Sequence, residues 1–358
     1  MGFLKSLINA VADPKRFFVL AVAALVVIVW KRELVASNAV GYGLLALLGV
    51  FFAFGTFDFN FRQIVTKPDN VPIVGLIFLL VFFVWYSLRQ GVLNDRRAKA
   101  GKPPIEKDES DRVWVWPDLV YTELISLILC SVVLILWSIF LKAPLEQPSN
   151  RSVTPNPSKA PWYFLGLQEM LVYFDPWLAG VVLPSLIIVG LIAIPYIDKN
   201  PKGNGYYTFS ERKAEVTIFL FGFAILWSSL IVLGTFLRGP NWNFFGPFEY
   251  WDLHKLEALT NVNLSEYIWV KGLGRALPKN WLLREAFGIL LVLGYVFALP
   301  GLLAKRWFKS YYDKLGAARY YVTVFLFLMM ISLPTKMLLR WIFTLKYIVA
   351  IPEFFFNI

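Results

Sequence analysis

The sequence predicts an all-α integral membrane protein of about eight transmembrane helices. Of its 358 residues, 58% are apolar and 16% are charged, where a soluble domain carries roughly 45–50% and about 25%. The mean hydropathy is +0.60. Apolar runs also recur close to the length of about 20 residues that a bilayer span requires. A water-soluble globule is therefore excluded. The 32 Phe, 16 Tyr and 14 Trp suit a chain in which many helix ends sit at headgroup level.

The apolar runs place helices at Phe17 to Trp30, Ala39 to Phe57, Val71 to Leu88, Leu119 to Leu141, Trp177 to Ile197, Val216 to Leu237, Ala286 to Ala304 and Tyr320 to Leu333. The first and last runs, 17–30 and 320–333, fall short of the usual minimum of about 17 residues. Each is read either as a tilted span with snorkelling ends or as an interfacial helix. This pattern divides the chain into an N-terminal three-helix extension (1–90), a charged linker (91–116), a three-helix core (117–237), an aromatic loop (238–284) and a C-terminal two-helix extension (285–358). No internal repeat or low-complexity tract is present. A loop as long as 238–284 has to carry structure of its own.

Lys and Arg near helix ends set orientation. Loops 89–117 and 198–215 hold seven and four of them, and loop 142–176 holds three. The central helices thus put 142–176 outside and the charged linker on the cytoplasmic side, as expected for a multi-pass protein of a bacterial cytoplasmic (inner) membrane with this loop periplasmic. Over the whole chain the bias fades to 18 inside against 17 outside. The formal charge of +11 is spread over loops, so nucleic acid is not the expected partner, whereas anionic lipid is. One Cys and one His cannot build a structural zinc site of about four ligands, a C-x-x-C-H haem attachment or a two-histidine haem site. No metal is assigned to this chain. Cys130, in mid-helix, reads as a small buried hydrophobe.

Ionisable residues inside membrane helices are the first functional candidates. Here they are Asp118, at the start of a helix, and Glu123, a turn further in. They read either as an interfacial cap favoured by the helix dipole or as inner-side groups that handle protons or quinone. Proline interruptions at Pro184, Pro195, Pro300 and Pro334 lack charged companions at mid-depth, so they give a transporter little support. His254 reads as a surface or interface histidine, with a proton relay or an axial ligand to a partner's haem as the alternative.

The outer loop is the most informative stretch. Pro148-Ser149-Asn150-Arg151-Ser152-Val153-Thr154-Pro155 runs through Asn156 to Lys159 into Ala160-Pro161-Trp162-Tyr163-Phe164-Leu165-Gly166-Leu167-Gln168-Glu169-Met170. A proline-set polar loop entering an aromatic surface helix makes either a water-poor pocket for a flat ring or a lipid-packing ledge. Physical reasoning leaves the two even.

The loop resembles the C-terminal half of cytochrome b, which is a separate chain, subunit IV, in plastid and cyanobacterial cytochrome bf complexes. In that family a P-x-(D/N)-P-x-x-T-P loop leads into Pro-Glu-Trp-Tyr-Phe at the quinol-oxidation site. Pro148, Asn150, Thr154, Pro155, Trp162, Tyr163 and Phe164 fall on matching positions, and Trp116-Pro117-Asp118-Leu119 with Tyr121 looks like the entry into the preceding helix. The similarity spans about 114–237. It implies a membrane subunit of a quinol–cytochrome c/plastocyanin reductase, a quinone (menaquinone or ubiquinone) held near Pro161, Trp162, Tyr163 and Phe164, and proton release outside. It also implies a haem-carrying cytochrome b N-terminal-type subunit, a Rieske iron–sulfur protein and a c-type cytochrome as partners. The b haem and the cluster would sit in those chains, and the isolated chain is expected to be inactive.

One departure matters. Ala160-Pro161 stands where the family has Pro-Glu, so the acid linked to quinol deprotonation is missing. Glu169 and Asp175 are the candidate replacements, since a carboxylate in an apolar setting is suited to proton transfer near neutral pH. The alternative is an ordinary solvated acid. A non-catalytic scaffold subunit of a redox complex, and less so a transporter, remain the other readings.

Overall fold

A computed structural model describes residues 2–108, 113–140, 148–201, 206–257 and 260–358. Parts of the expected linker (109–112), of the outer loop (141–147) and of loops 198–215 and 238–284 (202–205, 258–259) lie outside the described residues. The chain is an all-α membrane protein, and among the described residues seven helices are long and apolar enough to cross a bilayer. They are α3 (Asn38–Gly55), α4 (Val71–Lys99), α5 (Val115–Phe140), α7 (Leu178–Ile197), α8 (Lys213–Leu237), α9 (Trp281–Lys305) and α10 (Ala317–Phe343). Three shorter helices complete the numbering: α1 (Gly2–Val11), α2 (Pro14–Trp30) and α6 (Trp162–Met170). The eighth expected span is α2, whose 17 residues reach roughly 25 Å against a hydrocarbon core of about 30 Å. The run expected at 320–333 proves to be the middle of a 27-residue helix.

The chain divides into two compact units. One contains 27–158 and 203–213; the other contains 1–26, 159–202 and 214–358. In the first unit, Ser37 caps α3 by accepting the Val40 N–H at 3.4 Å. Gly41 then lets α3 and α4 touch, because a Cβ there would stand 2.0 Å from the Trp85 ring. The Trp85 indole also donates to the Ser37 carbonyl at 3.2 Å. α4 continues past the expected boundary at 90 to end on Arg96, Arg97 and Lys99, cations that complement the negative end of the helix dipole. This polar end is packed. Buried Asn94 donates to the Tyr207 carbonyl at 3.0 Å, and Asp95 accepts from the backbone and hydroxyl of Ser210 at 2.9 and 2.7 Å.

α5 differs from the other spans in having no buried residue. Cys130 is accordingly exposed, which corrects the reading of it as a buried hydrophobe: no described residue of its helix is buried.

In the second unit the core gathers along α8, where Leu220, Leu226, Leu230 and Leu233 to Leu237 are buried. Between membrane helices such contacts work through close packing more than through the hydrophobic effect, and small residues favour them. Gly166 of α6 faces Ile231 and Trp227, and Gly234 of α8 faces the Leu165 backbone. α9 and α10 share a cluster of Leu303, Ala304, Tyr320, Val324 and Leu328, tied by the Tyr320 hydroxyl to the Pro300 carbonyl at 3.0 Å. Beyond α10 the chain returns along α9 and closes with a two-stranded antiparallel ladder, β1 (Ala350–Ile351) and β2 (Phe356–Asn357). Gly288 admits this return: a Cβ there would lie 2.1 Å from the Ile348 carbonyl oxygen.

Candidate functional site

α6 begins directly after Pro161, whose ring fixes φ and suits a helix entrance. The Ala160 N–H donates to the Gln168 side chain at 2.8 Å, folding the lead-in segment back along the helix. Lys159 anchors the same segment, donating to the Thr235 carbonyl at 2.8 Å while lying 5.1 Å above the Trp251 ring. Trp162, Tyr163 and Phe164 form a continuous aromatic step, with centroids 5.7 and 4.7 Å apart. Tyr163 and Phe164 are about half exposed, and Trp162 is partly buried. The opposite face, Leu165, Gly166, Glu169 and Met170, is buried. The helix thus presents flat rings outward and drives a carboxylate inward.

That carboxylate, Glu169, is 0% exposed. A buried charge has to be paired and hydrogen-bonded, and Arg238, one residue past α8, supplies both. Its Nη2 lies 2.7 Å from Oε1 and its Nε 3.0 Å from Oε2, the fork geometry that guanidinium and carboxylate form best. The Trp242 indole donates to Oε2 at 3.2 Å, and the Trp242 carbonyl accepts from Arg238 Nη1 at 2.9 Å. The turn that returns Trp242 to Glu169 holds Asn241 and Trp242 in the left-handed region, each at φ 57°. A bulky residue there costs about 1–3 kcal/mol, offset by these hydrogen bonds. Burial alone would lower the Arg238 pKa, but Glu169 outweighs it and raises the value. Tyr173, 2% exposed, has its phenol pushed up by burial first and by the Glu169 charge second.

Asp175 has a different setting. It is partly exposed, and its Oδ1 accepts from the Tyr347 hydroxyl at 3.1 Å and the Asn357 amide at 3.3 Å. Its backbone carbonyl accepts from Leu178 and Ala179 at 3.0 Å each, starting α7. The C-terminal ladder holds the same corner: Trp177 donates to the Asn357 carbonyl at 3.0 Å and stacks on Phe356 at 5.0 Å. Burial first, then the hydrogen bond to Asp175, pushes the Tyr347 pKa up to about 12.

The inner-side candidates stand apart from this cluster. Asp118 and Glu123 are exposed residues of α5, in the other unit; Asp118 accepts the Trp114 N–H at 3.4 Å. His254 is exposed in the loop after α8, its backbone N–H donating to Asp252 at 2.9 Å. Among the described residues no group of three or more His, Cys, Asp or Glu could hold a metal ion, and a single histidine does not fit two-histidine haem ligation.

Sequence reasoning missed Arg238, Trp242, Tyr173 and Tyr347. Arg238 carried one usable signal: it is the first charge after an uninterrupted apolar helix and is followed by Gly239-Pro240, a turn able to reverse the chain.

Residues 148–246 match the family model described as cytochrome b(C-terminal)/b6/petD. The match contains the proline loop, the aromatic step, Glu169, Asp175, Arg238 and Trp242. It begins after Trp116-Pro117-Asp118-Leu119 and runs past 237, so it covers a later stretch than the expected 114–237. No solved structure matches the chain.

Proposed function

We propose that this protein is a membrane subunit of a bc-type quinol oxidoreductase complex and forms one wall of its quinol-oxidation pocket. The observation that carries the reading is the coincidence of the family match at 148–246 with an aromatic step, Trp162 to Phe164, that opens a surface helix and is half exposed. The exposed rings of Tyr163 and Phe164 offer a face for a flat quinol ring, and Pro161 holds the entrance rigid. Quinol oxidation releases two electrons and two protons. The electrons pass to a Rieske cluster and a low-potential b haem carried by partner chains, and a c-type cytochrome accepts from the Rieske protein. This chain positions the ring and takes up the two released protons, the protein's share where cofactors do the electron chemistry.

Asp175 and Glu169 are the candidate proton acceptors, in unequal settings. Asp175 is partly open to solvent and has one oxygen engaged by neutral donors. Glu169 has both oxygens held by Arg238. The proposed orientation keeps loop 142–176 on the outer, periplasmic side of a bacterial membrane, where the protons leave.

The Arg238 fork, together with Ala160-Pro161 in place of the family's Pro-Glu, also favours a second reading: a scaffold subunit that keeps the pocket shape without serving proton transfer. A redox difference spectrum of the affinity-purified native complex tests the first reading. Quinol-reducible b haem that arrives with this chain and is blocked by a site inhibitor is the expected result. A chain without haem partners and without a quinol response overturns it. Unchanged turnover in both Glu169→Gln and Asp175→Asn complexes selects the scaffold.

A further inference from the structure

α10 carries two cations, one turn apart, on the side that meets the segment following α6. Lys336 is 3% exposed; its Nζ has the Lys346 carbonyl at 2.6 Å and the Phe174 and Tyr347 rings at 5.8 and 5.9 Å. The Arg340 Nη1 is buried with no hydrogen-bond partner. The Tyr173 hydroxyl, within electrostatic reach of Arg340 and beside the Trp341 side chain, is also buried. Tyr173 meets α10 edge-on at Trp341, with centroids 6.1 Å apart.

The acids nearest the cluster are already engaged: Glu169 is paired with Arg238, and Asp175 accepts from the Tyr347 hydroxyl and Asn357. Like charges at i and i+4 repel, and a buried cation without a counter-charge is strongly unfavourable. Lys336 thus has a single carbonyl partner, and the Arg340 Nη1 has none among the described residues.

We propose that Lys336, Arg340 and the Tyr173 hydroxyl form a binding site for a phosphate-bearing anion, occupied in the membrane by the headgroup of an anionic phospholipid. A tetrahedral phosphate offers several acceptor oxygens to these donors, with Arg340 supplying a planar fork and Lys336 a point charge. The location selects the lipid: Arg340 lies in the last turn of a membrane-spanning helix that ends at Phe343, the depth at which headgroups and basic residues meet. The site lies on α10, outside the residues of the family match, and stands whether or not the chain serves quinol oxidation.

The test is thermal melting of the delipidated native complex, titrated with phosphatidylglycerol, phosphatidylcholine or inorganic phosphate, with native mass spectrometry counting bound lipid. Phosphatidylglycerol is expected to raise the melting temperature and to appear as a retained adduct, while phosphatidylcholine does neither. Arg340→Gln and Lys336→Met are each expected to weaken this binding about tenfold or more, the size of one lost charge-assisted hydrogen bond. Arg340→Lys, which keeps the charge, retains most of it and stands in if the neutral variants fail to assemble. A response to inorganic phosphate equal to that of phosphatidylglycerol keeps the anion site and assigns it to a free anion. Equal responses to the two lipids, or an Arg340→Gln complex that binds as the wild type does, overturn the proposal.

Discussion

Removing Arg238 while leaving Glu169 in place would strand a carboxylate that is 0% exposed. Arg238→Met deletes two charge-assisted hydrogen bonds, at 2.7 and 3.0 Å, leaving only the Trp242 indole at 3.2 Å. Breaking a buried pair from one side costs about 3–5 kcal/mol. Glu169→Leu strands the guanidinium instead, whose side chain is 13% exposed, and belongs to the same range or slightly below it. Replacing both partners by apolar groups removes the charges together, and such replacements are often neutral or stabilising. The double variant Glu169→Leu/Arg238→Met should therefore be more stable than either single variant, with a coupling of at least about 2 kcal/mol between contacting residues. The assay is thermal or denaturant unfolding of the solubilised complex across the four-member cycle. Single effects that sum to the double within about 0.5 kcal/mol would refute the claim that the pair acts as a unit. Glu169→Gln, outside this cycle, separates roles, because a Glu169 that served only as proton acceptor would lose turnover there and leave the melting curve alone.

Asp175→Asn should lower quinol-dependent turnover about 100-fold, the scale of one general base, while b-haem content stays constant; steady-state assays with matched haem spectra check both. Burial and the Asp175 hydrogen bond push the Tyr347 phenol from its ordinary 10.0 up to about 12, so its contribution to stability is fully present below pH 10.0 and is lost as pH rises through about 12. A Tyr347→Phe complex should show a flatter stability profile across that window in pH-dependent melting. Gly41→Ala would place a methyl 2.0 Å from the Trp85 ring. Overpacking of this kind costs about 1–3 kcal/mol, which a lowered melting temperature and protease sensitivity between α3 and α4 would report.

Hydropathy made the spans legible because bilayer thickness fixes their length, and it failed where charge enters a helix. The run at 320–333 looked short because Thr335, Lys336 and Arg340 interrupt it; the helix continues to Phe343, with Lys336 buried against the chain. The charged stretch after Leu88 read as a linker, yet α4 runs to Lys99, with Asn94 and Asp95 buried against residues 207–210. The aromatic step at 162–164 was readable from the loop that leads into it. The Glu169–Arg238 pair was not, since its partners lie 69 positions apart and only the packing of α6 on α8 joins them. Cys130 was misread for the converse reason: apolar neighbours in sequence do not say whether a helix has neighbours in space.

The bare surface of α5 turns that misreading to use. With no buried residue among the described positions of the helix, the response of a mid-helix position to substitution reports what surrounds it in the membrane. Cys130 is the chain's single thiol, so a spin label or solvatochromic dye attached there would read polarity and collision rates at that depth without engineering. Lipid around the helix would give fast, oxygen-accessible spectra, and an adjoining subunit would immobilise the probe as the assembly forms.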